Sequence, residues 1–383
     1  MMFKVFLIAM LLCGCQNTSD DSTSATPNKP ITTVIPSPTQ TPNQAPIVSS
    51  DFVTRIGKDL YLKNKLYYFS GTNQYYLFYK SQKMVDDIID TAANMGLNVI
   101  RTWGFCDGAA KEGYAFQVSP GKYDETTFRK MDYTIYKASQ HNIKLIIPLV
   151  NNWDEMGGMM QYAHWANSSN HDDFYTNQQI KQVYKEYVKY FLTRINSITG
   201  VMYKDDPTIA VWELANEPRS QQADIFQSWI EEMSAYFKTI DTNHLLSIGD
   251  EGWAYAGNDW VANNKVKDID IVSFHLYPDS WGYSNEDQAK NWIVDHLEKA
   301  KTILNKPAYM GEFGIRDKSK RDRIYGEWYD LAINKGMPGI VFWLLSGHQD
   351  DGSLYPDYDG LTVYPNDSTA TVIKYKSVTF LNR

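Results

Sequence analysis

Two glutamates carry the first chemical hint. Glu217 lies in "WELANEPR" and Glu312 in "PAYMGEFG", and each closes a short apolar run of the kind that forms a buried strand. A chain does not end such a run with ionisable groups unless that end faces solvent or a ligand. Arg101 in "IRTWGF", Asn216 beside Glu217, His275 and Tyr277 in "SFHLYP", and Trp343 in "VFWLLSG" occupy equivalent places. Paired carboxylates flanking a sugar ring are the machinery of glycoside hydrolysis. One is protonated to give a proton to the leaving oxygen, and the other is ionised to attack the anomeric carbon. A cation beside one of them lowers its pKa. Arg101 is therefore expected next to the nucleophilic carboxylate, and the other glutamate in a less ionic setting. Taken singly, a glutamate at a strand end is more often a salt-bridge partner or helix cap, and His275 alone would suit a satisfied buried histidine.

These residues are far apart in sequence, so the fold must bring them together. Eight apolar runs ("LYYFSGTN", "NVIRTWGF", "KLIIPLVNNW", "TIAVWELANEP", "HLLSIGDEG", "DIVSFHLYP", "PAYMGEFG" and "GIVFWLLSG") alternate with amphipathic stretches of helical period. The fifth connection, around "GNDWVANNK", has room for only a short helix, and "STATVIKYKSVTFL" is the last outer helix. Continuous apolar strands alternating with helices imply a parallel sheet covered on both faces. Eight such units predict an α/β protein of the (β/α)8 TIM barrel class, with its site at the C-terminal ends of the strands. No strand is followed by a Gly-rich phosphate loop, which disfavours an open doubly wound sheet.

Composition narrows the ligand. A net charge of −8 without a Lys/Arg block excludes a nucleic-acid or anionic-membrane surface, while 14% aromatic residues suit a neutral, hydroxyl-rich ligand that stacks on rings. There is no HExxH and no CxxC pair, so no metal is expected. The acidic tract "DDGSLYPDYDG" lacks the ligand alternation of a calcium loop and reads as the loop after strand 8, capping one end of a cleft. His348 beside it is a possible cleft residue that the sequence leaves undecided. The opening "MMFKVFLIAMLLCGC" has a basic start and an apolar stretch too short to span a bilayer. Its "LCGC" resembles a bacterial lipobox, with Cys13 where a small residue is usual. Residues 1–14 are expected to be a lipoprotein signal peptide and Cys15 the lipidated N-terminus; an ordinary secretory signal is the alternative. Residues 15–50, rich in Ser, Thr and Pro, read as a disordered tether, and 51–383 as the catalytic domain. Only Cys106 then remains in the domain, so no disulfide is expected.

"WELANEP" and "GEFG" resemble the acid/base and nucleophile segments of glycoside hydrolase family 5. "IRTWGFCDG", "LVNNWDEMGG", "GDEGW" and "SFHLYPDSWG" point further, to the endo-β-1,4-mannanase group of that family, over residues 52 to 383. The resemblance implies Glu217 as general acid/base and Glu312 as nucleophile of a retaining double displacement. It implies Asn216 on the 2-hydroxyl of the reacting sugar, Arg101 and Tyr277 holding Glu312 ionised and aimed, His275 between the glutamates, and Trp343 as the sugar's floor. Trp103 and Trp153 are candidate platforms for neighbouring sugars, with barrel packing as the alternative. Arg219 and Glu251 either contact sugars on the leaving side or simply pair with each other. No cofactor and no nucleic-acid partner are expected. The implied partner is a β-mannan polysaccharide, with a membrane met only through the lipid, in an exported monomeric protein anchored to the cell envelope. An endo-β-1,4-glucanase of the same family and a non-catalytic glycan-binding lipoprotein are the rival readings.

Overall fold

All eight apolar runs become strands of one parallel sheet in the computed structural model, which describes residues 50–108, 110–254 and 258–383. They are β1 (Phe69–Asn73), β2 (Val99–Arg101), β3 (Lys144–Pro148), β4 (Ile209–Glu213), β5 (Leu245–Ser247), β6 (Val272–Leu276), β7 (Ala308–Phe313) and β8 (Gly339–Phe342). Every neighbour pair is parallel, in the order β5-β4-β3-β2-β1-β8-β7-β6. The seam between β5 and β6 is bridged by backbone bonds, Asp270 N–H to Leu246 O at 2.8 Å and His275 N–H to Glu251 O at 3.1 Å. The sheet is thus a (β/α)8 barrel. The signal, the Cys15 reading and nearly all of the tether lie outside the described residues.

Eight helices surround it: α1 (Gln82–Asn94), α2 (Glu125–Gln140), α3 (Gln178–Thr193), α4 (Ala223–Lys238), α5 (Trp260–Asn264), α6 (Glu286–Lys299), α7 (Lys318–Asn334) and α8 (Ser368–Leu381). The fifth is a single short turn of helix, as its weak period predicts. Several of their starts are set by side chains that accept the first unpaired N–H groups: Ser81 for α1, Asp124 for α2, Asn177 for α3, and Asn285 with Gln288 in a capping box for α6. No helix among the described residues is long and apolar enough to cross a membrane.

The barrel interior is layered. Its lower layer is apolar: Phe69, Val99, Ile146, Val211, Leu245, Tyr309 and Val341 form one cluster, closed from below by Val53 and Leu60. Those two plugging residues flank and belong to a three-stranded antiparallel sheet, Thr54–Ile56, Asp59–Leu62 and Lys65–Leu66, which the strand count above does not include. Its signal is a two-residue turn at Lys63-Asn64, both at positive φ, as a tight hairpin requires. The loops above the barrel also hold structure that apolar period does not announce. They include short helices at Gly158–Trp165, Asp173–Thr176 and Pro278–Trp281, and a small hairpin at Gln117–Ser119 and Lys122–Tyr123.

Leu60 is 1% exposed and fills the barrel floor. Leu60→Ala is expected to cost about 2–5 kcal/mol of unfolding free energy through lost burial and a residual cavity. Urea titration would show this as a lower midpoint; a change below ~1 kcal/mol would contradict the plug.

Candidate active site

Above the apolar layer sits a buried guanidinium. Arg101, at the end of β2 and 0% exposed, sends Nε and one terminal nitrogen to Glu213 at 2.7 to 3.0 Å. Its other donors reach Glu312 Oε1 at 2.6 Å, Asn73 Oδ1 at 3.1 Å and Asn216 Oδ1 at 2.8 Å. One side chain thereby ties the ends of β1, β2, β4 and β7 together. Tyr309 adds a hydrogen bond to Glu213 Oε1 from below. The charges of Glu213 and Glu312 outweigh the opposing effect of burial and raise the pKa of Arg101, so it is permanently cationic.

Glu312 lies on β7, and a register shift between Phe274 and His275 of the neighbouring β6 sets His275 opposite it. Its second oxygen accepts from the Tyr277 hydroxyl at 2.5 Å. Burial keeps that phenol protonated, with the Glu312 charge acting the same way. Glu217 follows β4 in a left-handed conformation, φ +51°, which few side chains adopt. Its Oε1 lies 2.6 Å from His275 Nδ1, and its Oε2 accepts from the Trp153 indole at 2.7 Å. His275 Nδ1 is also 3.7 Å from Glu312 Oε2. An oxygen of each glutamate and a nitrogen of His275 all lie within 4.8 Å of one another, a spacing a metal ion would also span. All four carboxylate oxygens, however, already have partners in Arg101, Tyr277, His275 and Trp153.

Burial pulls the His275 imidazole down, but the Glu312 charge and the Glu217 hydrogen bond outweigh it and raise its pKa. Burial pushes Glu217 up, yet its bond to His275 brings it below the ordinary carboxylate value. Glu312 moves the other way. Burial raises it, the Glu217 charge adds to this, and His275 and Arg101 pull down without prevailing. This corrects the sequence reading on one point. Arg101 does sit on Glu312 and pulls its pKa down, but burial, invisible in sequence, outweighs it. Glu217, His275 and Glu312 therefore act on one another's protonation, with His275 shifted toward its charged form by the two glutamates.

A cleft of about 860 Å³ opens over this group. Asn216, Glu217, Glu312, Tyr277, Trp343, Trp153, Trp103, Arg219 and Glu251 all line it. Asn216 is held from both sides, accepting from Arg101 and donating to Asn151 Oδ1 at 3.0 Å. Trp343 stacks near Tyr75, centroids 6.1 Å apart, and its indole N–H donates to Asp359 at 2.7 Å. Trp103 is only 6% exposed, wedged against Phe105, Trp343 and the Arg101 guanidinium. It backs the site more than it offers a face. Trp153 is 39% exposed, with the Arg219 guanidinium 4.8 Å from its ring. Arg219 and Glu251 do pair with each other, while both line the cleft. Burial and the Glu217 charge push Glu251 up to about 8.

Sequence reasoning missed Glu213, Asn73 and Tyr309. Glu213 carried a signal, a carboxylate inside the apolar run "TIAVWEL", but it was absorbed into the strand. The loop after β8 does border the cleft, through Tyr355, Tyr358 and Asp359. His348 does not; it lies 3.5 Å from Asp87 of α1.

A histidine that binds its proton more tightly when folded stabilises the fold fully below its unfolded value of about 6.5, and that contribution fades as pH rises through the higher folded value. An NMR titration of the His275 ring is expected to give a midpoint above about 6.5 in the native protein. A midpoint below that would show that the two glutamates do not shift it toward its charged form.

The family profile described as GH family 5 beta-mannosidase-like matches residues 50–331. Mannan endo-1,4-beta-mannosidase 1 of Arabidopsis thaliana is 37% identical over 374 residues, 86% of this chain and 90% of its own length. Among solved structures, the endo-β-1,4-mannanase of Thermotoga petrophila is 38% identical with a TM-score of 0.77, over 82% of this chain and 77% of that one. The endo-1,4-β-mannanase of Rhizomucor miehei is 32% identical with a TM-score of 0.80, over 87% and 100%. The barrel, the strand-end carboxylates and these likenesses agree, and the chain belongs to the β-mannosidase-like group of glycoside hydrolase family 5.

Proposed function

We propose that this protein is a retaining endo-β-1,4-mannanase acting on mannan, glucomannan or galactomannan. The observation that carries the reading is the carboxylate pair. Glu217 and Glu312 approach within 4.8 Å inside an aromatic cleft, close enough for one to attack the carbon whose leaving oxygen the other protonates. A shared fold, with TM-scores of 0.77 and 0.80, and 32 to 38% sequence identity to proteins named as mannanases support the substrate class.

In the first step Glu312 bonds to the anomeric carbon as the glycosidic C–O bond breaks, and Glu217 passes a proton to the departing oxygen. The His275–Glu217 pair, 2.6 Å apart, is where that proton is kept. Arg101 and Tyr277, one on each oxygen of Glu312, fix its direction of attack. Having given its proton to the leaving group, Glu217 is a carboxylate, and with the Glu312 charge removed by esterification it stays ionised and is free to act as a base. It takes a proton from water, the water oxygen bonds to the anomeric carbon, and the Glu312 carboxylate is released. Asn216, locked by Arg101 and Asn151, would hold the 2-hydroxyl, a contact that strengthens as the ring flattens. Trp343 would carry the apolar face of that sugar.

Glu312→Ala and Glu217→Gln are each expected to lower reducing-sugar release from soluble mannan by at least ~10³-fold, consistent with loss of a catalytic group. Near-normal rates in either would end the assignment. In the same assay wild type should act on mannan well ahead of carboxymethyl-cellulose; the reverse order would make it a glucanase, and binding without turnover a glycan-capturing protein.

We further propose that the chain is exported and lipid-anchored through Cys15, with residues 15–50 as tether and 51–383 as catalytic domain. The "LCGC" ending of the apolar leader and the Ser/Thr/Pro-rich stretch after it support this. Detergent phase partitioning of the expressed full chain should place wild type in the detergent phase and Cys15→Ser in the aqueous phase. Equal partitioning of both would exclude lipidation at this cysteine.

A further inference from the structure

A second depression, about 540 Å³, lies between the loop after β5, α5 and α6. Gly252, Trp260 and Trp292 form its wall, and Asp259, Asp295 and Lys299 its polar edge. Glu251 lines the catalytic cleft and the next residue, Gly252, lines this groove, so one residue of backbone separates the two. Gly252 sits at φ +102°, and a Cβ there would fall 2.7 Å from His296 Nε2 and 3.0 Å from the Trp292 ring. Only glycine lets the loop lie down on that tryptophan. Trp292 is anchored in turn, its indole N–H donating to the His275 carbonyl at 2.9 Å.

Three rings join the groove to the cleft. Trp292 and Trp253 have centroids 4.9 Å apart, Trp253 and Trp281 4.7 Å, and Trp281 and Trp292 5.3 Å; Trp281 lines the catalytic cleft. Tryptophans that only pack a core are covered, as Trp212, Trp229 and Trp328 are in this protein. Trp253, Trp281 and Trp292 instead stay partly exposed along a path between two depressions. Aromatic faces flanked by carboxylates and an ammonium are the chemistry that holds pyranose rings, C–H faces on the indoles and hydroxyls on the charged edge. The path starts on the acid's side of the cleft: Glu217 bonds Trp153, Arg219 stacks on Trp153, and Arg219 pairs with Glu251.

We propose that the groove beside Trp292 is a remote binding site for the leaving-side stretch of a β-mannan chain, reached from the catalytic cleft across Trp281 and Trp253. This rests on the mannanase reading above. The site favours long substrates over short ones, because only a chain that has left the cleft reaches it.

The test compares kcat/KM on polymeric mannan with that on mannotetraose. Trp253→Ala is expected to lower the polymer value about tenfold, the loss of one stacking contact, and to leave the tetraose value unchanged. Asp295→Ala with Lys299→Ala, on the exposed side of α6, is expected to shift the ratio in the same direction without touching a ring. Trp253→Phe should recover most of the polymer rate. A parallel fall on both substrates, or an unchanged ratio in both the ring and the charge variants, overturns the groove. Wild-type protein inactive on both substrates, measured before any variant, overturns the mannanase reading and the groove with it; activity on both with an unmoved ratio overturns the groove alone.

Discussion

A buried guanidinium organises this barrel. Arg101 has five N–H donors in a rigid fork and no access to water, so each must find an acceptor within the protein. It finds them at the ends of β1, β4 and β7, in Asn73, Glu213, Asn216 and Glu312. An unpaired cation at that depth would cost several kcal/mol, so the network is held complete or the fold suffers. The demand for charge compensation thus doubles as positioning, because one of the two carboxylates that satisfy Arg101, Glu312, is aimed into the cleft. Groups fixed in this way need little rearrangement when charge shifts during reaction.

The same economy separates the two glutamates. Both are buried and both accept two protein hydrogen bonds, but from different donors. Glu312 accepts from a permanently charged guanidinium and a phenol that stays neutral; Glu217 accepts from an imidazole that exchanges protons and from an indole that cannot. The titratable partner is what makes Glu217 the member of the pair suited to proton transfer, whatever its resting charge. Around them eight of the 22 residues that line the cleft carry aromatic rings, in keeping with the ring-rich composition.

The barrel was legible because its strands are buried on both sides and read as uninterrupted apolar runs, and because most outer helices, α5 excepted, show their period and often their cap. The floor was not, since Thr54–Ile56, Asp59–Leu62 and Lys65–Leu66 are too short and too polar to stand out beside longer runs. At the site, the residues at strand ends were legible from their polarity at the close of apolar runs. Glu213 was not singled out because, although it closes β4, the apolar Leu214 and Ala215 carry the run on past it, so that only its charge betrays it. The proton preferences were misread for a different reason: Arg101 beside Glu312 is a matter of residue type and motif, whereas the burial that outweighs it belongs to the folded state alone. Trp103 illustrates the same limit, since sequence supplies a ring but not which of its faces is covered.

The backbone at Glu217 sets a lasting tension between durability and chemistry. A residue with a side chain held at φ +51° carries strain on the order of 1 kcal/mol that glycine would not. Substitution toward a sturdier protein would therefore favour removing the side chain at the position proposed to carry the acid/base carboxylate. Selection for thermal endurance by itself would erode this enzyme from the inside, and any campaign to harden it must screen turnover at every round.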